Sequence, residues 1–419
     1  MSCQRGVNAS LAFLGGPRRP KGLRGWPARA ALALAVAAAL GLAACGSPVV
    51  TSPLATSSAS AVPSASFSPN PSLSPTTNTS PNASANPTFP PSPSTKVTAF
   101  YYMWYGTPTH DGAWRHWNQN AHQPPDDIAS QYYPERGPYS SRDAAVLAAQ
   151  MADLRTAGVG VIAVSWWGQG SWEDKSLEAL FAAATAGGIE VAFHLEPYAG
   201  QTAASIVADI RYLLGRFGSS AALYRVSRPT SASASTAARP VFYVFAPSRL
   251  PASSLKAALR GLRGTADDSI VMIHSPNAAS AVRDGGDGVY TYDPLASPDS
   301  FAALVAGCRA DNLICSPDVS PGFDNRQAVT KPQQVIDRQN GARYDTMWQA
   351  AIATGPEWIG VVSFNEWHEG TQIEPARDYA AGTRTYLGYE GAWGVTGADA
   401  PDAYLARTAY WVATYSQGG

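Results

Sequence analysis

Charge is scarce in this chain. Only 15% of its 419 residues are charged, and 30 Lys and Arg against 31 Asp and Glu leave a net charge of −1. That balance excludes the basic footprint of a nucleic-acid binder. Cysteine is scarcer still, with 4 in all: Cys3, Cys45, Cys308 and Cys315. The first two lie near the N-terminus, so no disulfide framework is available, and Cys308 and Cys315 stay open to a bridge or to two buried thiols. A dinucleotide loop is missing too, because Gly158-Val159-Gly160 precedes a strand-like run rather than following one. The apolar run Ala30 to Ala44 has fifteen residues, too few to span a bilayer comfortably.

That run is what an export signal needs. Arg18, Arg19, Lys21, Arg24 and Arg29 precede it, and it ends in Leu42-Ala43-Ala44-Cys45-Gly46, a sequence that resembles a bacterial lipobox. Residues 1–45 are therefore expected to be a lipoprotein signal peptide. Cys45 would carry the lipid and anchor the exported chain to the outer side of the cell membrane. Residues 46–95 are nearly all Ser, Pro, Thr, Ala and Asn. Such a segment cannot bury enough surface to offset its ordering entropy and reads as a disordered tether.

From residue 96 to 419 the composition changes. The runs "KVTAFYYMW" (96–104), "VGVIAVSWW" (159–167), "IEVAFHLEP" (189–197), "PVFYVFAP" (240–247), "SIVMIHS" (269–275), "GDGVYTYD" (286–293), "DNLICSP" (311–317) and "EWIGVVSFN" (357–365) are mostly unbroken apolar stretches. Strands covered on both faces look like this. Helical candidates lie between them at 140–157, 173–186, 202–216, 251–262, 298–308 and 333–354. The pattern predicts an α/β fold, a (β/α)8 TIM barrel, behind the signal peptide and tether. Polar residues then collect at the C-terminal ends of four strands: Trp166 and Trp167, His194 and Glu196, Tyr290, Tyr292 and Asp293, and Asn365 with Glu366. In such a barrel these ends converge on the catalytic mouth.

The stretch "VVSFNEWHEGTQIEP" (361–375) concentrates Glu366, Glu369 and Glu374 in a chain that otherwise avoids charge. His368-Glu369 opens a zinc-protease pattern, but Gln372 stands where the second His is needed, so no metal or other cofactor is expected. Paired carboxylates are the stronger reading. Glu366 and Glu369, three apart on a helical turn, would hold their Cβ atoms roughly 5–6 Å apart. That spacing suits a retaining glycosidase and raises one pKa so that the group can act as an acid. The 12 Trp and 19 Tyr add flat faces on which sugars stack.

"FNEWHEGTQIEP" (364–375) resembles the signature of the endo-α-1,2-mannosidase family, glycoside hydrolase family 99. "FYYMWYGTPTHDGAWRHW" (100–117), "VIAVSWWG" (161–168), "FHLEPYAGQT" (193–202) and "DGVYTYD" (287–293) extend the similarity, which covers Val97 to Tyr415. The resemblance implies an endo-acting, retaining hydrolase of internal α-1,2-mannosidic linkages in mannan or N-glycan-type oligosaccharides. The substrate's own 2-hydroxyl would be the nucleophile and a 1,2-anhydro sugar the intermediate. Glu366 would take the 2-hydroxyl proton, and Glu369 would protonate the leaving oxygen. Trp166 or Trp167 is expected as a sugar platform, and Glu196 as an acceptor for sugar hydroxyls before the cleaved bond. Tyr290 and Tyr292 would bracket the anomeric centre, with only one of them facing inward. Tyr101, Tyr102, His194, Asn365 and Trp367 complete the expected lining, while Glu374 is expected behind it or paired with Arg377. The chain is expected to act as a monomer. The rival function is a non-catalytic surface glycan-binding lipoprotein of a polysaccharide uptake system.

Overall fold

A computed structural model describes residues 93–418. The expected signal peptide with Cys45, and residues 46–92 of the expected tether, lie outside the described residues, whereas Ser94 and Thr95, expected in the tether, begin the first strand. Eight strand positions close into a ring: β1 (Ser94–Tyr101), β2 (Val159–Trp166), β3 (Glu190–Leu195), β4 (Arg239–Val244), β5 (Ile270–His274), β6 (Gly288–Tyr290), β7 (Ile314–Ser316) and β8 (Ile359–Val361). Neighbours are parallel throughout, and β1 pairs with both β2 and β8. All eight residues of β2 are buried, as a strand flanked by the barrel interior and by helices must be.

The seventh position is divided. Ile314–Ser316 pairs with β6, and after Pro317 the chain resumes as Asp318–Val319 and pairs with β8. Proline has no N–H to donate, but its carbonyl still accepts from the Gly360 N–H at 3.3 Å, so the ring stays hydrogen-bonded across the switch.

Eight helices alternate with these strands: α1 (Ala144–Thr156), α2 (Leu177–Gly187), α3 (Ala203–Phe217), α4 (Ala252–Arg260), α5 (Ala278–Asp284), α6 (Ser300–Ala310), α7 (Ala342–Ala353) and α8 (Ala403–Gln417). Three of them start under a short polar side chain that accepts a backbone N–H: Asp143 for α1, a Thr202–Ser205 capping box for α3 and Asn277 for α5. The α5 and α8 segments were not among the sequence candidates. The helix expected over 333–354 begins only at Ala342. Before it, Val335–Ile336 pairs with Phe323–Asp324, and Gln339, Asn340 and Gly341 all take positive φ, which a right-handed helix cannot contain.

Extra chain accumulates after β1, β7 and β8, where three short antiparallel ribbons form. These connections leave the C-terminal ends of the strands, so they build up the mouth. On the far side, Cys308 and Cys315 are buried free thiols.

Candidate active site

The acidic stretch leaves β8 and folds back on its own base. The Ser363 N–H donates to the Thr371 carbonyl at 2.9 Å, Ile373 N–H to Ser363 O at 3.0 Å, and Glu374 N–H to Phe364 O at 2.9 Å. Gly370 makes the return with φ 61, a conformation that glycine adopts without steric cost. Arg338 clamps the loop from behind by donating to the carbonyls of Gly370 and Gln372 at 2.9 and 2.7 Å. Its guanidinium lies against the rings of Tyr132, Tyr389 and Tyr404.

Glu366 stands at the start of the turn, 2% exposed. The Ser363 hydroxyl accepts its N–H at 2.7 Å, and its Oε1 accepts the His368 N–H at 3.0 Å. Oε2 is buried with no hydrogen-bond partner in the protein. Burial, followed by the charge of Glu369, holds this carboxyl well above the usual range. Glu369 keeps part of its surface open, and its Oε2 accepts the Tyr292 hydroxyl at 3.4 Å. Its pKa is pushed up to about 7, first by burial, with the Tyr292 hydrogen bond opposing and Glu196 and Asp293 adding to the rise. Two carboxyls desolvated together cannot both ionise easily, so one of them is available as the acid that acid–base chemistry on one substrate requires.

Tyr292 also meets the Tyr102 hydroxyl. Because Tyr292 donates to Glu369, Tyr102 donates to Tyr292, and burial keeps both phenols protonated by raising their pKa well above normal. On another side, Glu196 Oε1 accepts the Ser165 hydroxyl at 3.0 Å and lies 2.9 Å from His194 Nδ1. Trp167, half-buried, donates its Nε1–H to the same Ser165 hydroxyl at 3.0 Å. The indole therefore stands beside the carboxylate at the rim.

Several expectations are corrected. Tyr101 points away from the mouth, its hydroxyl on Gln150 of α1. Trp166 faces the helices and donates to Asp174 at 3.0 Å. Asn365 uses its amide on the backbone of Tyr102, accepting its N–H at 2.7 Å and donating to its carbonyl at 2.9 Å. Trp367 is fully buried and donates to Glu374 at 3.0 Å. Asn365 and Trp367 fasten the loop to its surroundings, and Tyr101 and Trp166 face the helices behind the barrel, so none of the four lines the mouth. His194 and Tyr290 sit one layer deeper, joined Nε2 to hydroxyl at 2.8 Å beneath Glu196. Tyr290 and Tyr292 both face inward against Phe100, Tyr290 from the end of β6 and Tyr292 from the chain just beyond it, where φ is 26. Glu374 accepts from Tyr139, Gln150 and Trp367, and Arg136 lies 3.6 Å away, whereas Arg377 faces Glu135.

The sequence reading missed Trp104, His116 and His368 as a group. Trp104 stacks on His116 with ring centroids 4.5 Å apart, and His116 on His368 at 5.5 Å. His368 Nε2 lies 2.9 Å from the His116 carbonyl, so that nitrogen carries the proton and Nδ1 is bare. Burial lowers the His368 pKa to about 4, leaving a neutral ring beside Glu366. Trp104 lay in the quoted 100–117 motif. His116 lay in the same motif and His368 in the 364–375 signature, but their stacking depends on the path of the loop after β1. Among the described residues, no group of three or more His, Cys, Asp or Glu is arranged to hold a metal ion.

A pair of buried carboxyls with raised pKa values at a barrel mouth, walled by aromatics, is glycosidase machinery. Residues 93–417 match the sequence profile of glycosyl hydrolase family 99. The chain belongs to this family. A glycoprotein endo-alpha-1,2-mannosidase-like protein of Danio rerio is 35% identical over 358 residues, 77% of this chain and 78% of the relative. The glycoprotein endo-alpha-1,2-mannosidase of Rattus norvegicus is 31% identical over 358 residues, covering 77% and 75%. The solved GH99 endo-alpha-mannosidase from Bacteroides thetaiotaomicron superposes with a TM-score of 0.70 at 30% identity, over 78% of this chain and 99% of that one. This family 99 chain is an O-glycosyl hydrolase, built on the barrel the sequence predicts.

Proposed function

We propose that this family 99 enzyme cleaves internal α-1,2-mannosidic linkages in mannan or N-glycan-type oligosaccharides, with retention, through a 1,2-anhydro sugar. The observation that carries the reading is the buried, unpartnered Oε2 of Glu366 beside Glu369, whose pKa is about 7. An acceptor buried without a donor is costly, and a sugar hydroxyl supplies one.

In the first step Glu366 takes the proton of the 2-hydroxyl. The freed O2 attacks C1 as the C1–O bond to the leaving sugar breaks, and Glu369 gives its proton to the departing oxygen. In the second step Glu369 takes a proton from water, the water oxygen opens the three-membered ring at C1, and Glu366 returns its proton to O2. Two inversions restore the α configuration. Burial raises the pKa of both carboxyls, and in Glu366 it disfavours the charge that a base must carry. The peptide N–H groups of His368 and Glu369 oppose this, and a sugar hydroxyl donating to Oε2 adds to them. We therefore place the charge on Glu366 once substrate is bound.

The relatives' endo-mannosidase names support the substrate class, and the lipobox at Cys45 supports attachment to the outer side of a bacterial membrane. The mechanism is tested with α-1,2-linked mannan oligosaccharides by early-time proton NMR, and by intact mass after incubation with a 2-deoxy-2-fluoro analogue. Oligosaccharide products appearing first as the α-anomer, with no labelled protein, are expected. A glycosyl ester on Glu366 would make it the nucleophile. A first-formed β-anomer, or monosaccharides released only from chain ends, would overturn the proposal.

A further inference from the structure

Asp318 is an acid in an unexpected place. It follows Pro317 in the divided seventh strand, 1% exposed, at a position where barrel strands carry apolar side chains. Its carboxylate is met by neutral donors. Oδ2 accepts two successive peptide N–H groups, Thr291 at 3.0 Å and Tyr292 at 2.8 Å, and Oδ1 accepts the Ser316 hydroxyl at 2.9 Å. The Asp318 N–H in turn donates to the Thr291 hydroxyl at 2.9 Å. The neighbouring strand is trimmed to admit it: a Cβ on Gly360 would stand 2.2 Å from Oδ1.

What this clamp holds is an unusual piece of backbone. Tyr292 has φ 26, in the region that favours glycine, and an aromatic residue does not adopt it unless its surroundings impose it. The kink comes directly after β6, where the chain would otherwise continue extended. With the kink, the Tyr292 hydroxyl lies between the Tyr102 hydroxyl and Glu369 Oε2. The two N–H groups gripped by Asp318 belong to the kinked residue and the one before it. A short side chain that offers one oxygen to both N–H groups is what this geometry needs. Asn can keep its oxygen there and donate its amide to the Ser316 hydroxyl, but it replaces a charged acceptor by a weaker neutral one and so loosens the grip on the kink.

We propose that Asp318 is a positioning residue for the reaction, acting on Glu369 through Tyr292. It fixes the backbone that aims the phenol, and the phenol holds the carboxyl where it can protonate the leaving oxygen. This inference rests on the reading of Glu369 as the acid. A residue acting this way affects the step that needs proton donation more than it affects binding.

The test is a double-mutant cycle on the full chain, with Asp318→Asn, Tyr292→Phe and the pair. Each is assayed on a natural α-1,2-linked oligosaccharide and on the matching glycosyl fluoride, whose leaving group departs with little proton assistance. Asp318→Asn is expected to lower kcat on the natural substrate about 10–100-fold with KM changed less than about threefold, within the range for impaired acid catalysis. The fluoride should lose much less. In the Tyr292→Phe background, Asp318→Asn should cost less than about threefold, because residues acting through one another are not additive. Costs that multiply, or equal losses on both substrates, overturn the proposal. If Asp318→Asn does not fold, Thr291→Val carries the same cycle with a smaller loss of the same bias, and there no loss or a multiplicative one overturns it. Glu369→Gln, run alongside, separates the two readings. Without leaving-group bias in that variant the acid assignment fails; with bias there but multiplicative costs at Asp318 and Tyr292, only this inference fails.

Discussion

Removing one oxygen, in Tyr292→Phe, should move the alkaline limb of the pH profile. Glu369 must be protonated to act as the acid, so kcat/KM should fall as pH rises through its pKa, which the structure places at about 7. The Tyr292 hydroxyl donates to Glu369 and favours the ionised form, so its loss should raise that pKa and carry the limb to higher pH. A neutral hydrogen bond contributes about 0.5–1.5 kcal/mol net. At 3.4 Å this one belongs at the weak end, and one pKa unit is about 1.4 kcal/mol, so a rise of roughly half a unit is expected. Phe keeps the ring, so the burial that dominates the shift is preserved. The Tyr102 hydroxyl loses its acceptor and could turn to Glu369 as a replacement donor, so Tyr102→Phe is added as a control and should leave the enlarged shift visible. Initial rates at substrate well below KM, from pH 4.5 to about 9, report the free enzyme. A limb that stays put or moves to lower pH in the double variant would refute the reasoning that the phenol tunes the acid.

Three further outcomes are expected. Glu366→Gln should be slow on natural and activated substrates alike, while Glu369→Gln should spare the activated one in the first step; losses of about 10²–10⁴-fold are typical for a positioned acid or base, and small, equal effects from steady-state rates would demote the pair to sugar binding. Arg338→Met removes the donor from two buried carbonyls, each costing about 1–3 kcal/mol when left unsatisfied. A loss of about 2–5 kcal/mol in denaturant unfolding is expected, and less than about 1 kcal/mol would show that the loop does not depend on the clamp. Cys45→Ala should move the protein from the detergent phase to the aqueous phase of a detergent extraction, and wild type partitioning to the aqueous phase would remove the lipid anchor.

The barrel was legible because its strands are near-continuous apolar runs, and the acid loop because three glutamates in a charge-poor chain cannot be hidden. What local pattern could not supply was direction at the point where a strand ends. Tyr101 and Tyr102 are adjacent and chemically alike, yet one faces α1 and the other Glu369's phenol partner, an alternation whose sense follows from Phe100 facing into the barrel. Asn365 looked like a sugar ligand because it precedes Glu366, but its amide matches the two peptide groups of Tyr102 that the barrel brings alongside. Helix α8 was not among the sequence candidates; Tyr404, Trp411 and Tyr415 are middling helix formers, and packing against α1 and β1 stabilises it. Asp318 was hidden in a Ser-Pro-Asp sequence that reads as a turn.

The loop carrying Glu366 and Glu369 is tied at its own neck, Ser363 to Thr371 and Ile373, and Phe364 to Glu374. A segment closed on itself in this way moves as one body when its surroundings shift. The spacing of the two carboxyls is then insulated from rearrangement of the other strand ends, whereas Tyr102, Trp167, Glu196 and Tyr292 arrive on separate elements. Among those outlying parts, Tyr102, Glu196 and Tyr292 still reach Glu369 through charge or hydrogen bonds, whereas Trp167 has no such contact with the pair. An engineer seeking a new glycan should therefore leave residues 363–374, Arg338 and the Tyr292 kink untouched and vary the rim around Trp167 first.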